Sequence, residues 1–287
     1  MAAVLNFLGA MVSSKVAKTI SGGVVDGSLP QYVIMAAIIA GIVWDLITWY
    51  FGIPSSSSHA LIGGLVGASI MYAASFKIII WSGIWQKVVF PLLTSPIIGF
   101  VLGFLFMEIL FLILRPFSQR FVNTWFSKLQ ILSAALMSFE HGKNDAQKSM
   151  GIITLALISS NILKKGSDVP WEVMIMCALA MALGTSIGGW KIIKTMGVNM
   201  IRLQPINGFA AETSAALVIS TASAIGAPVS TTHVISSSIM GVGASKRFSA
   251  VRWSLAKNIV WAWVLTIPVT AVLGAVITIL LKLFNPS

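Results

Sequence analysis

Gly52-Ile53-Pro54-Ser55-Ser56-Ser57-Ser58-His59 returns, from Pro54 to Pro228, after a shift of 174 residues as Gly226-Ala227-Pro228-Val229-Ser230-Thr231-Thr232-His233. Both octets read Gly-x-Pro-x-Ser-[Ser/Thr]-[Ser/Thr]-His. Each follows a long apolar run (31–51 and 207–223) and precedes a short one rich in small residues (60–74 and 234–244). Proline stops a helix, and small hydroxyl residues start the next one. A second pair keeps the same order: Lys15-Val16-Ala17-Lys18-Thr19 and Lys191-Ile192-Ile193-Lys194-Thr195, from Lys15 to Lys191 a shift of 176 residues. Two ordered matches at nearly one offset mark an internal duplication. Interrupted apolar segments at matching places in two halves point to a carrier with its site at the repeat interface.

Composition sets the solvent. The 287 residues are 57% hydrophobic and only 9% charged, against about 25% charged in soluble domains, and mean hydropathy is +0.92. Several apolar runs reach the roughly 20 residues that cross a bilayer as helix. The period-2 alternation of an outer-membrane barrel is missing. The expected class is all-α and polytopic. Net charge is +11, but Arg115, Arg120, Lys164, Lys165, Lys246, Arg247 and Arg252 are spread over short loops. That distribution suits the cytoplasmic loops of a membrane protein and argues against a nucleic-acid partner. Cys177 stands alone in an apolar run, so a buried core thiol is expected. Trp81, Trp85, Trp253, Trp261 and Trp263 fit interfacial belts.

The chain divides into a first repeat over 1–114, a polar inter-repeat loop over 115–128 and a second repeat over 129–287. Spans are expected over 31–51, 88–114, 171–189 and 253–284. Loops are expected over 20–30, where Gly22, Gly23, Asp26, Gly27 and Ser28 cluster, and over the basic stretch 191–202.

Glu140-His141-Gly142-Lys143-Asn144-Asp145-Ala146-Gln147-Lys148-Ser149-Met150-Gly151 interrupts the apolar second repeat. Charge at that density inside a hydrophobic run is costly unless a site needs it. Gly142 permits an unwound turn. Asn144 and Asp145 offer oxygen ligands to a small cation, and Gln147 and Ser149 add hydrogen-bond donors. In the octets, the helix start after each proline presents free N–H groups, hydroxyls and the positive end of a dipole, which suits a tetrahedral oxyanion. A dianion entering a low-dielectric site needs its charge offset. A cation on Asp145, helped by Glu140 or Glu212, would do so, and protonation of an acid is the alternative. His59, His141 and His233 all fall inside these motifs, where hydrogen-bonding or proton-handling roles are expected; no spacing supports a tetrahedral metal site. Asp45 and Glu108 lie within spans and could serve coupling or simply pair. An intramembrane enzyme would need a nucleophile elbow or a His-Glu-x-x-His motif, and neither is present.

Taken together, His141-Gly142-x-Asn144-Asp145 with Gln147-Lys148 and Met150-Gly151, Asn207-Gly208-Phe209 with Glu212-Thr213, and the two Pro-x-Ser-[Ser/Thr]-[Ser/Thr]-His elements resemble the inorganic phosphate transporter (Pit) family, over essentially the whole chain. The Gln147-Lys148 variant is similar to its bacterial low-affinity branch. The resemblance implies two inverted repeats of membrane helices with re-entrant hairpins, in a multi-pass protein of the cell (plasma or inner) membrane. It implies inorganic phosphate as the substrate, the bilayer as the surround, no organic cofactor, and Na+ or H+ as the coupling ion. Phosphate would sit on Ser56, Ser57, Ser58, Asn144, Asp145, Gln147, Ser230, Thr231 and Thr232. The cation would sit on Asp145 and Asn144, with Glu140 and Glu212. His59, His141, His233 and Lys148 complete the motifs. A homodimer, a permease for sulfate or arsenate, and a non-transporting subunit remain open. The family's first Gly-x-Asn-Asp motif is not found: at the repeat offset, the twin of Glu140 would precede Met1. The expectation is therefore a chain short of roughly 50 residues at its start, as the repeat logic implies.

Overall fold

The computed structural model describes residues 1–25 and 29–284. Asp26-Gly27-Ser28 of the expected loop and the terminal Asn285-Pro286-Ser287 lie outside the described residues. The described residues are almost entirely helical; their one β contact is a bridge between Val25 and Ile79. In chain order the helices are α1 (Ala2–Ala10), α2 (Lys15–Gly23), α3 (Gln31–Phe51), α4 (Ser57–Ala73), α5 (Trp81–Ile84), α6 (Phe90–Leu114), α7 (Gln119–Ser159), α8 (Trp171–Ile187), α9 (Trp190–Lys194), α10 (Pro205–Ala224), α11 (Thr231–Lys246) and α12 (Trp253–Phe284). A π-helical turn, Trp85–Val89, joins α5 to α6, and another, Thr195–Met200, follows α9. Gln31–Phe51, Trp81–Leu114 and Trp253–Phe284 are each long and apolar enough to cross a membrane, and Trp171–Ile187 with Trp190–Met200 form a further span bent by 63°. The protein is an integral membrane protein.

The duplication is written in the backbone. α3 ends at Gly52 (φ 67°), and the chain after α10 turns at Gly226 (φ 73°), a left-handed conformation that glycine adopts without strain. The Ile53 N–H donates to the Thr48 carbonyl at 2.9 Å, and 174 residues on Ala227 donates to Ala222 at 2.9 Å. Pro54 and Pro228 then forbid continuation. Ser56 caps α4 by accepting from the His59 N–H, and Ser230 caps α11 by accepting from the His233 N–H. Further along, Ile80 N–H donates to the Val24 carbonyl and Arg252 N–H to the Met200 carbonyl, both at 3.1 Å. The indole of Trp81 donates to Phe76, and that of Trp253 to Phe248.

Packing exchanges partners between halves: α4 lies along α12, and α11 along α6. Small residues make the contact, because apolar lipid supplies no hydrophobic drive and close backbone approach must hold the helices. A Cβ on Gly67 would fall 1.8 Å from the Ala271 carbonyl oxygen, and one on Gly241 2.1 Å from that of Phe100. Facing outward, α6 and α12 keep large apolar side chains exposed, such as Leu112, Ile113, Val272 and Leu283.

Four expectations need correction. The segment around Gly142 is not unwound: α7 runs 41 residues without a break. Gly142 is instead required by packing, since its Cβ would lie 2.1 Å from the Asn6 carbonyl oxygen. The polar stretch 115–128 is loop only as far as Ser118, where α7 begins. The basic stretch 191–202 is mostly helix, with Lys191 and Lys194 on α9. Trp263 belongs to no interfacial belt; it is 7% exposed and stacks on His233 at 4.0 Å.

Candidate functional site

The middle of α7 meets both proline breaks. Asp145 is the hub. One of its carboxylate oxygens takes the Lys148 ammonium, one turn along the same helix. The other accepts from the Thr231 hydroxyl at 2.7 Å and lies 3.0 Å from His141 Nε2. Lys148 is buried and also donates to the Val229 carbonyl at 2.6 Å, inside the second octet. Thus one acid and one lysine, at i and i+3 on one face of α7, grip the start of α11.

His141 is oriented from behind. Its Nδ1 is 2.9 Å from the Asn6 side-chain oxygen, and the Asn6 amide donates to the Thr185 hydroxyl at 3.1 Å. Asn6 is buried, and it carries no motif that would announce it; its signal is a lone amide in an apolar stretch with no other polar side chain until Ser13.

In front of Asp145 lies a cavity of about 410 Å³. Its polar lining comes from Asp45 on α3, Ser57 and Ser58 on α4, and His141, Asp145, Lys148 and Ser149 on α7, with Ile38, Ile42, Leu61 and Met181 completing the wall. That size lies within the range of small-molecule sites. The start of α4, with its unpaired N–H groups, opens on this cavity beside a buried ammonium. Such an arrangement favours a small anion.

The expected site residues fall into three groups. Ser57, Ser58, Asp145, His141 and Lys148 converge on the cavity, and Thr231 touches Asp145 from the opposite hairpin. Ser56 and Ser230 are buried caps behind it. Asn144 is fully buried and donates to Ser223 on α10 at 2.8 Å, leaving its side-chain oxygen without a partner. Other residues point elsewhere. Gln147 accepts from the N–H groups of Val16 (2.7 Å) and Ala17 (3.3 Å), so it closes the first turn of α2. Thr232 is absent from the cavity wall and uses its carbonyl to accept from Ser236. Glu140 is buried in a pair with Lys143 at 3.1 Å. Glu212 accepts from Ser133 at 2.5 Å; Ser133 precedes Asp145 by twelve residues of α7, roughly 18 Å at the helical rise. The structure does not bring Glu212 and Asp145 to one cation.

His59 and His233 meet where the hairpins touch, their rings stacked 5.0 Å apart. Trp263 covers His233 and donates its indole N–H to the Pro54 carbonyl at 3.0 Å, tying α12 to the first break. Thr48 and Ser55 hydroxyls share a 2.7 Å hydrogen bond across that break.

Comparison with known proteins agrees with this architecture. Over 289 aligned residues the chain is 50% identical to a Bacillus subtilis protein named probable low-affinity inorganic phosphate transporter, covering 99% of this chain and 85% of that one. A Rhizobium meliloti protein of the same name is 49% identical, covering 91% of this chain and 78% of that one. A Mycobacterium tuberculosis protein of the same name is 42% identical, covering 95% and 66%. A solved structure, named the sodium-dependent phosphate transporter, shares the fold with a TM-score of 0.88 at 24% identity, over 98% of this chain and 88% of that one. These are transporters and not enzymes. Residues 1–274 match the phosphate transporter family, and the chain belongs to that family.

Proposed function

We propose that the protein moves inorganic phosphate across the cell membrane by coupling it to a cation, with the 410 Å³ cavity as the substrate site. The observation that carries this reading is the junction at Asp145. A single carboxylate on α7 is bonded to the start of the α11 hairpin through Thr231, while it lines a cavity shared with the start of the α4 hairpin. Each proposed repeat, 1–114 and 129–287, thereby contributes one hairpin. Phosphate would take the N–H groups and hydroxyls of Ser57 and Ser58 together with Lys148. A dianion there would face Asp145 and Asp45, and two carboxylates beside it require a compensating cation. Asp145 is the residue placed to hold that cation, because its oxygens already select a lysine ammonium and a hydroxyl donor. Sodium is supported by the structurally similar protein, which is named as sodium-dependent; a proton on Asp145 would satisfy the same charge balance.

The test is uptake of radiolabelled phosphate into proteoliposomes holding the purified chain, with sodium and pH gradients imposed separately. Uptake that follows one gradient and is competed by unlabelled phosphate supports the reading and names the ion. Uptake indifferent to both gradients removes the coupling, and preference for sulfate over phosphate removes the substrate.

A further inference from the structure

A second cavity, of about 420 Å³, opens where the chain enters α10 and leaves α11. Arg202, Lys246, Arg247 and Arg252 line it. An adjoining cavity of about 460 Å³ shares Gln204 and Lys246 and adds Arg115 from the end of α6. No acidic residue lines either cavity. Among the described residues, the ion pairs are Lys18–Asp168, His141–Asp145, Lys143–Glu140 and Lys148–Asp145, so none of these five cations has a carboxylate partner.

The repeat supplies an internal control. The hydrogen bond from Arg252 to Met200 has its twin in Ile80 to Val24. At the offsets of the repeat, Tyr72, Ala73 and Ile80 occupy the places of Lys246, Arg247 and Arg252. The same backbone closure is therefore made in the first repeat with neutral side chains. The fold does not require the charge. Converging like charges oppose the compact state, so the cavity's potential is available to an anion.

Its walls say which kind. Phe111 and Leu114 on α6 line the adjoining cavity, and the neighbouring Leu112 and Ile113 are 61% and 60% exposed on the membrane-facing surface. On the other side, Phe248 stacks on Trp253 at 4.4 Å, the amphipathic aromatic arrangement of a membrane–water boundary. A free phosphate ion has no use for that apolar margin, whereas a phospholipid needs both parts. We infer that this basic cavity binds the phosphate of an anionic phospholipid, with its acyl chains laid along α6. Guanidinium groups pair bidentately with phosphate oxygens, and Arg247 and Arg252 are the principal contacts. The site touches both ends of the α10–α11 hairpin, whose tip carries Thr231.

The experiment is native mass spectrometry of the full chain released from detergent after incubation with phosphatidylglycerol or phosphatidylcholine. Phosphatidylglycerol is expected to be retained preferentially. Each basic residue near an anionic phosphate is worth about a fivefold change, so Arg247→Gln with Arg252→Gln should weaken retention by roughly twentyfold. Arg247→Lys with Arg252→Lys should keep most of it, and Lys77→Gln, at an exposed lysine outside the cavity, should change nothing. Equal retention of the two lipids overturns the inference. So does unaltered selectivity in the double Gln variant, or displacement of the lipid by millimolar inorganic phosphate, which would make the cavity a free-phosphate site.

Discussion

Replacing Asp145 by Asn separates the roles of this residue most cleanly. The amide keeps the size of the side chain and one acceptor oxygen, but it removes the negative charge that holds Lys148. The lysine side chain is 5% exposed and would retain only the Val229 carbonyl. Removing one member of a buried ion pair costs about 3–5 kcal/mol, because the remaining charge is left uncompensated. The Asp145 side chain is 24% exposed, and water on that side lowers the cost to about the bottom of the range, roughly 3 kcal/mol, or a factor of about 150 in the folding equilibrium. Asp145→Asn should therefore melt earlier in detergent, followed by tryptophan fluorescence. Adding Lys148→Met removes the orphaned charge and should restore most of the lost stability. Phosphate uptake into proteoliposomes, normalised to folded protein, should be at background in the single variant, since no carboxylate remains for the cation. Wild-type uptake per folded molecule by Asp145→Asn would refute the cation assignment. A melting temperature unchanged from the parent would refute the claim that Asp145 stabilises Lys148.

Other substitutions probe the surrounding geometry. Thr231→Val preserves shape but deletes a hydroxyl bonded to a carboxylate at 2.7 Å; losing such a charge-assisted bond costs about 1.5–3 kcal/mol, and phosphate uptake titrations should show the half-saturating concentration raised about tenfold or more. Gln147→Leu leaves the Val16 and Ala17 N–H groups buried without an acceptor, so it should lower thermal stability by about 1–3 kcal/mol while folded protein keeps its half-saturating phosphate concentration. Gly67→Val drives a side chain into the Ala271 carbonyl, and folded yield after detergent extraction should collapse. Glu212→Gln and Asp145→Asn act roughly 18 Å apart along α7, so a double-mutant cycle on stability should be additive to within about 0.5 kcal/mol.

How much of this can be read in advance depends on the physical signal involved. Composition and run length set the solvent, and with it the helical class. The octets locate both breaks because proline, left-handed glycine and a serine cap each enforce a local geometry with little help from tertiary contacts. Gly142 misleads for the opposite reason. A glycine in a polar run licenses either an unwound turn or a close helix crossing, and only the position of Asn6 decides between them. Gln147 shows the same limit. Its amide can serve a ligand or an orphaned helix start, and α2 reaches it from 131 residues away. Trp263 resembles the interfacial tryptophans by composition alone, and its partners lie in two other segments. Asp145, His141 and Lys148 are recoverable because charge inside an apolar helix is expensive wherever it points.

The stacked pair of His59 and His233 has a consequence for how such a chain can change over time. The two residues hold the same position in their repeats, so the contact is a protein surface meeting its own copy, as at the axis of a symmetric dimer. In a dimer of identical subunits, one codon alters both sides together. Here the two copies are encoded separately, and a substitution in either ring confronts an unaltered counterpart. Drift at this point must be matched in pairs, which binds the two halves of the gene to each other even where they otherwise diverge as freely as Ser57 from Thr231.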